Sequence, residues 1–275
     1  MGAAASLRLV TRRRGVYALG PLGAATVGNP AVTEMVRHHA LLYADLADPV
    51  ALLRAPPGQT RLAAYWPYGS ASDPASLAGE KVADYSALMA ASQAMVAAQV
   101  LDAYDMRRHR CLLDVGGGDG SFLRAAAARA PGLKLKLFDL PAVVAAAAAK
   151  FASTGLPAET LGGDVYRDQL PAGADVVSLI RVVHDHDDER ALAILRAVRR
   201  ALPDGGTLLL AEPMAETAGA EPVEAYFAFY LLALGSGRPR SAAGLRRMLA
   251  EAGFRRSDLV RTAAPLVASL IVARA

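Results

Sequence analysis

From about residue 106 onward, short apolar runs alternate with helical runs, and few folds accept that order. "CLLDV" (111–115) meets a glycine turn and then an Ala-rich helical run over 121–130. "LKLKLFD" (133–139) alternates like a strand and meets Pro141, which suits the first turn of a helix reaching to about residue 152. "AETLGGD" (158–164) reads as a weaker strand. "ADVVSLIRV" (174–182) reads as a buried strand before a helix over 187–202, and "GTLLLAE" (206–212) as a fifth strand. "FYLLALG" lies in another helix and "SAAGLRRMLAEAGF" (241–254) in the next. The final runs, "FRRSDLVRT" and "LVASLIVAR", read as a closing antiparallel pair. This order predicts an α/β fold: a mostly parallel seven-stranded sheet with helices on both faces and the last pair antiparallel. Ligands bind such sheets at the carboxyl ends of the strands, where strand order switches.

Residues 1–105 lack that alternation and read as helices broken at "GPLG", "APPGQ" and "WPYGSASDP". No apolar run is long enough to span a membrane. The basic cluster of "MGAAASLRLVTRRRG" follows its apolar stretch, the wrong order for a secretory signal, and Cys111 is the single cysteine. Both point to a reducing cytoplasmic setting. The net charge of +4 comes from scattered arginines, many in last helical turns where they complement the dipole. The one tight cluster, "TRRRG" (11–15), reads as a solvated turn, so no nucleic-acid partner is expected.

Each strand end carries a candidate. After the first comes "LLDVGGGDG", with Asp114, Gly116 and Gly118. A dinucleotide fingerprint would need glycine at position 121, which is Ser121. Asp114 ahead of the glycines repels a pyrophosphate and can attract an ammonium group. The combination suits a cofactor without phosphates that ends in an amino acid, and S-adenosylmethionine fits. The alternative is a tight turn with no ligand. After the second strand, Asp139 can accept from both ribose hydroxyls or cap the helix at Pro141. After the third, Asp164 can accept from an adenine amino group with Val165 against the ring, or be an exposed turn aspartate.

The fourth strand leads into "HDHDDE". Asp187, Asp188 and Glu189 explain themselves as the first turn of a helix whose last turn carries Arg199 and Arg200. That leaves His184, Asp185 and His186. In an extended segment the two histidines would face the same way, but a metal needs three or four converging ligands. No further His or Cys lies at another strand end, so no metal site is expected. His184 instead suits a general base, with Glu212 at the end of the neighbouring strand fixing its tautomer. The bland reading is a helix-start residue bonded to backbone. His186 reads as a surface or pocket-rim residue.

"LLDVGGGDG", "LFDLP", "GGDVYRDQLPAGADVVSLIRVVHDHDDE", "GGTLLLAEPM" and "RPRSAAGLRRMLAEAGF" resemble the small-molecule O-methyltransferases that use S-adenosylmethionine and a histidine base. "HHALLYADLADPVALLR", "WPYG", "YSALMAASQAMVAAQVLDAY" and "YFAFYLLALGSGRPRS" resemble the bacterial carotenoid branch, which acts on demethylspheroidene and hydroxyneurosporene. The resemblance covers nearly the whole chain.

It implies a Rossmann-like class I methyltransferase fold with S-adenosyl-L-methionine as cofactor. Residues 106–275 would form the cofactor domain, and residues 1–105 a helical dimerisation and substrate-lining region with a truncated winged-helix remnant. "RRRGVYALGPLG" is similar to the family's final wing hairpin, and full-length relatives are expected to be homodimers. The base falls on His184 and its orienting acid on Glu212. Cofactor contacts fall on Asp114, Gly116, Gly118, Asp139, Leu140, Asp164, Val165 and Arg181, the last a lysine in many relatives. The substrate pocket takes Tyr85, Met89, Asp185, Phe227 and Tyr230, with Ser86 on the same helix as Tyr85. Met35, Trp66 and Phe229 are further candidate walls. The family also places a second acid beside the histidine, just before "LRRMLAEAGF"; here that place reads "SAAG", with Gly244, so support of His184 is expected from one side. A lipophilic carotenoid acceptor implies peripheral contact with the photosynthetic membrane. Other readings are a methyltransferase of a bacteriochlorophyll precursor or a phenol, and a non-catalytic cofactor-binding regulator.

Overall fold

In a computed structural model the described residues are 1–65, 92–265 and 267–275. Seven strands form one sheet: β3 (Cys111–Val115), β4 (Lys134–Asp139), β5 (Ala158–Gly162), β6 (Val176–Ile180), β7 (Thr207–Glu212), β8 (Arg256–Val260) and β9 (Ser269–Arg274). Their spatial order is β5-β4-β3-β6-β7-β9-β8. β5 through β7 run parallel, and β9 pairs antiparallel with both β7 and β8. The expected α/β architecture and its antiparallel closing pair are therefore present. The order reverses at β3, so β3 and β6 diverge at the switch point and leave a crevice at their carboxyl ends.

Strands buried on both faces must be apolar at every position, and β3, β6 and β7 are buried throughout. Side-chain alternation divides them. Leu113, Val115, Val177, Leu179, Leu208 and Leu210 pack on one face with α9 (Asp188–Ala201) and α11 (Ala242–Glu251). Leu112, Val176, Ile180 and Leu209 face the other way, against a helix over 92–103 (α6), α7 (Ser121–Arg129) and α8 (Pro141–Thr154). α9 follows its predicted dipole pattern: Asp187 caps it by accepting from the Arg190 amide at 2.8 Å, and Arg199 and Arg200 close it.

The N-terminal region supplies α1 (Gly2–Ser6), a hairpin of β1 (Val10–Arg13) and β2 (Val16–Leu19), α2 (Pro21–Thr26), α3 (Pro30–Leu46), α4 (Pro49–Arg54) and α5 (Arg61–Tyr65). The reading of "TRRRG" as a turn holds only at its end. Thr11–Arg13 belong to β1, and the turn is Arg14 and Gly15, both with positive φ (50° and 81°). Two positive φ values make a hairpin turn whose twist matches the strands. Leu42, Leu52 and Leu62 pack against Leu231 and Leu234 of α10 (Glu221–Leu234), so the helical region covers the helix that stands over the strand ends. Among the described residues no helix is long and apolar enough to cross a membrane.

Candidate active site

The chain leaves β3 through Gly116, Gly117 and Gly118, and the turn is compact because each position has a reason for glycine. Gly116 and Gly118 have φ of 69° and 59°, a region open to glycine at no steric cost. A Cβ on Gly117 would lie 2.3 Å from Asp114 Oδ2, whereas one on Gly118 would meet nothing within 4 Å. The space beside Gly118 is thus open to a ligand.

Asp139, at the end of β4, ties the turn to the next strand. Its Oδ2 accepts from the Gly118 amide at 2.8 Å and its Oδ1 from the Leu140 amide at 2.7 Å. Burial raises its pKa, and the two amides oppose that rise. Gly116, Asp139, Leu140, Asp164, Val165 and His186 line one cavity of about 500 Å³. This lining fits an adenosyl group: a carboxylate at the end of β4, and an acid with an apolar side chain beside it one strand further. Asp164 is nearly buried, with its Oδ1 accepting from the Tyr166 amide at 2.9 Å. Tyr166 was not singled out in the sequence; its hydroxyl lies 2.7 Å from His186 Nδ1, which makes His186 part of the cavity wall.

Three of the expected cofactor contacts, Asp114, Gly118 and Arg181, do not line that cavity. Asp114 is 1 % exposed and lies beneath the turn. Its Oδ1 accepts from Ser178 Oγ at 2.6 Å, while Oδ2 has no hydrogen-bond partner and is sealed under Gly117. Burial, with the nearby charges of Asp139 and Asp119, pushes its pKa up to about 7 against the Ser178 bond. Asp114 therefore supports the turn from below. Ser178 was missed, although a serine inside the buried "VVSLI" is the signal that could have found it. Arg181, just past β6, has φ of 58° and donates from Nη1 to Ser92 Oγ of α6 at 2.8 Å. It does not line the cavity.

Past β6 the chain forms a tight turn over Val183–Asp185 rather than an extended segment. This turn lifts His184 over the end of β7, where Glu212 is 2 % exposed. Glu212 Oε2 accepts from His184 Nδ1. Its other oxygen accepts from the Val182 and Val183 amides at 3.1 and 2.8 Å. Support from one side only was expected, but Asp185 Oδ1 stands 3.1 Å from His184 Nε2. The second acid is thus the next residue in the chain, brought round by the turn. Gly244 takes no part: its amide donates to the helix-capping Ser241. Burial of His184 disfavours its charged form, yet the two carboxylates prevail and hold its pKa well above the ordinary imidazole value. The pair stabilises an imidazolium in place.

Phe227 meets the His184 ring edge-on at 6.3 Å between centroids. The Tyr230 hydroxyl lies 2.9 Å from His38 Nε2 on α3. Met35 is half-buried on the same helix, whereas Phe229 is 42 % exposed and is not part of this wall. Tyr85, Met89, Ser86 and Trp66 lie outside the described residues. Among the described residues no three His, Cys, Asp or Glu side chains are arranged to hold a metal ion.

Comparison with known proteins matches residues 43–255 to the O-methyltransferase domain. The chain is 44 % identical over 279 residues to demethylspheroidene O-methyltransferase of Rhodobacter capsulatus, across 99 % of this chain and 68 % of that protein. Among solved structures it is similar to LaPhzM, with 28 % identity, a TM-score of 0.79 and coverage of 99 % of this chain and 82 % of that one. It is also similar to PigF solved with SAH, with 25 % identity, a TM-score of 0.77 and coverage of 99 % and 83 %.

Proposed function

We propose, from the premise that the chain belongs to the S-adenosylmethionine-dependent O-methyltransferases, that it methylates the tertiary hydroxyl of an acyclic hydroxycarotenoid of the demethylspheroidene or hydroxyneurosporene type, with His184 as general base and no metal ion. The observation that carries the chemistry is the imidazole braced by Glu212 and Asp185 at the strand ends that also bear the glycine turn. The acceptor class is supported by the 44 % identity to the R. capsulatus enzyme, which extends through the helical segments over the site.

The bound donor supplies a sulfonium-activated methyl group. The protein's work is alignment, which can contribute roughly 7–11 kcal/mol, and removal of one proton, worth about 10²–10⁴-fold. Glu212 holds the Nδ1 proton, so Nε2 is the basic nitrogen. The acceptor hydroxyl competes with Asp185 for Nε2. A tertiary alcohol is far less acidic than an imidazolium, so the proton reaches His184 late, as the oxygen bonds to carbon. Glu212 and Asp185 then stabilise the imidazolium. Phe227 excludes water from one edge of the ring. In this reading residues 106–275 hold the donor and residues 1–105 cover the acceptor. That covering region would also carry the surface through which a homodimer forms, and the lipophilic acceptor would be taken up at the membrane surface.

The test is mass spectrometry of products after incubation with labelled methyl donor and an acyclic hydroxycarotenoid, with and without chelator. A methyl ether formed equally in both is expected. Methylation of only a phenol or a macrocycle would replace the acceptor, and loss with chelator would remove metal independence.

Two further outcomes belong to this reading. Asp139→Ala should weaken donor binding about ten- to a hundred-fold by calorimetry, the range for one charge-assisted hydrogen bond; unchanged affinity would take Asp139 out of the ribose contact. Only neutral His184 can accept the proton, so kcat/KM should rise with pH through its raised pKa. Asp185→Asn removes one of the two carboxylates and should shift this acid limb to lower pH. An unmoved limb would mean that Asp185 does not set it.

A further inference from the structure

We infer that Arg240 is a positioning residue for methyl transfer, fixing the turn that carries His184 from the side opposite Glu212. The inference rests on His184 being the base. The turn is poorly held by its own backbone: the Asp185 and His186 amides reach the Val182 and Val183 carbonyls only at 3.3 Å. Its four successive carbonyls are all bonded to residues 236–240. Arg240 Nη1 donates to Val183 O at 2.9 Å and Nη2 to His186 O at 2.6 Å. Between them, the Arg238 amide donates to His184 O and Ser236 Oγ to Asp185 O, each at 2.9 Å. The approach is close enough to require glycine at 237, where φ is 78° and a Cβ would stand 2.0 Å from His184 O.

Arg240 is 7 % exposed, and its Nε donates to Asp188 Oδ1 at 2.9 Å. A buried guanidinium persists only where its donors are satisfied. Here two of its acceptors are the carbonyls on either side of His184 and Asp185, the imidazole and the carboxylate that meet at Nε2. A planar fork spans two carbonyls three residues apart, and a lysine ammonium does not. Glu212 takes the amides at the start of the turn and Arg240 the carbonyls at its two ends, so the ring is aimed from both sides.

The test compares wild type with Arg240→Lys by three readouts: donor affinity, kcat against KM for the acceptor, and NMR titration of labelled histidines. The chain has only five histidines, and His184→Gln assigns the signal. Arg240→Lys should keep donor affinity and KM, lower kcat by about tenfold or more, and displace the His184 resonances, since an ångström of misplacement can cost on the order of 10²-fold. Lost turnover with undisplaced resonances would overturn the inference and leave His184 as base. Displaced resonances with full turnover would overturn it too, together with the base reading. Should Arg240→Lys not fold, Asp188→Ala removes the carboxylate that holds Arg240 Nε and touches no residue of the turn. Displaced His184 resonances in that variant would support the role of Arg240, and undisplaced ones would overturn it.

Discussion

His184→Ala should lower the single-turnover rate by about 10²–10⁴-fold, the ordinary contribution of a positioned general base, and leave donor affinity unchanged. The two effects separate because of where the residue sits. The cavity expected to take the donor is lined from Gly116, Asp139, Asp164 and their neighbours, and His184 is not among its walls. Removing the ring also spares the local frame, since Glu212 Oε1 still holds the Val182 and Val183 amides. Rapid quench with labelled donor, beside calorimetry of donor binding, reads both quantities. A retained rate would remove His184 from the base role, and lost donor affinity would show that the site had been misplaced.

Glu212 should separate into two phenotypes. Glu212→Ala strips the partner from His184 Nδ1 and leaves the Val182 and Val183 amides unsatisfied in a site where the carboxylate is 2 % exposed. Breaking a buried charged pair costs about 3–5 kcal/mol, which lowers Tm on the order of 10 °C for a chain of this size. Glu212→Gln should fold, because its amide oxygen can still accept from both backbone amides. Its NH₂ then faces Nδ1 and forces that nitrogen to be the acceptor. The proton moves to Nε2, where the base should be free, and kcat should fall by about 10³–10⁴-fold, as when a triad aspartate becomes asparagine. Calorimetric melting and kcat measured on both variants decide the matter. A Gln variant with normal turnover would end the tautomer argument.

Strand and helix order was legible because burial on both faces forces continuous apolar runs such as "CLLDV" and "VVSLI", and because Pro141 and the acids at 187–189 mark helix starts. The meeting of His184 and Glu212 was legible for a related reason: neighbouring parallel strands bring their carboxyl ends together. What escaped was set by rotation and by distance. The contact of Asp185 with the neighbouring imidazole was not legible, because a tight turn brings its carboxylate to that ring. The bond between Asp114 and Ser178 escaped because it joins residues 64 positions apart on neighbouring strands. Arg240 sits in a loop that carries no local signal, since its two carbonyl acceptors lie 54 and 57 positions earlier in the chain.

The insertion of β9 between β7 and β8 has a consequence for the timing of assembly. Among the described residues β8 has no strand neighbour except β9, and β9 is made after it. As the chain emerges from the ribosome, residues 256–260 must wait for 269–274, and until then the outer edge of β7 is bare. That edge carries Leu208, Leu209 and Leu210, the kind of unpaired apolar margin that joins other chains. Synthesis halted before residue 269 would release a polypeptide with the glycine turn, His184 and Glu212 present and its sheet still open, one suited more to aggregation or a chaperone than to turnover.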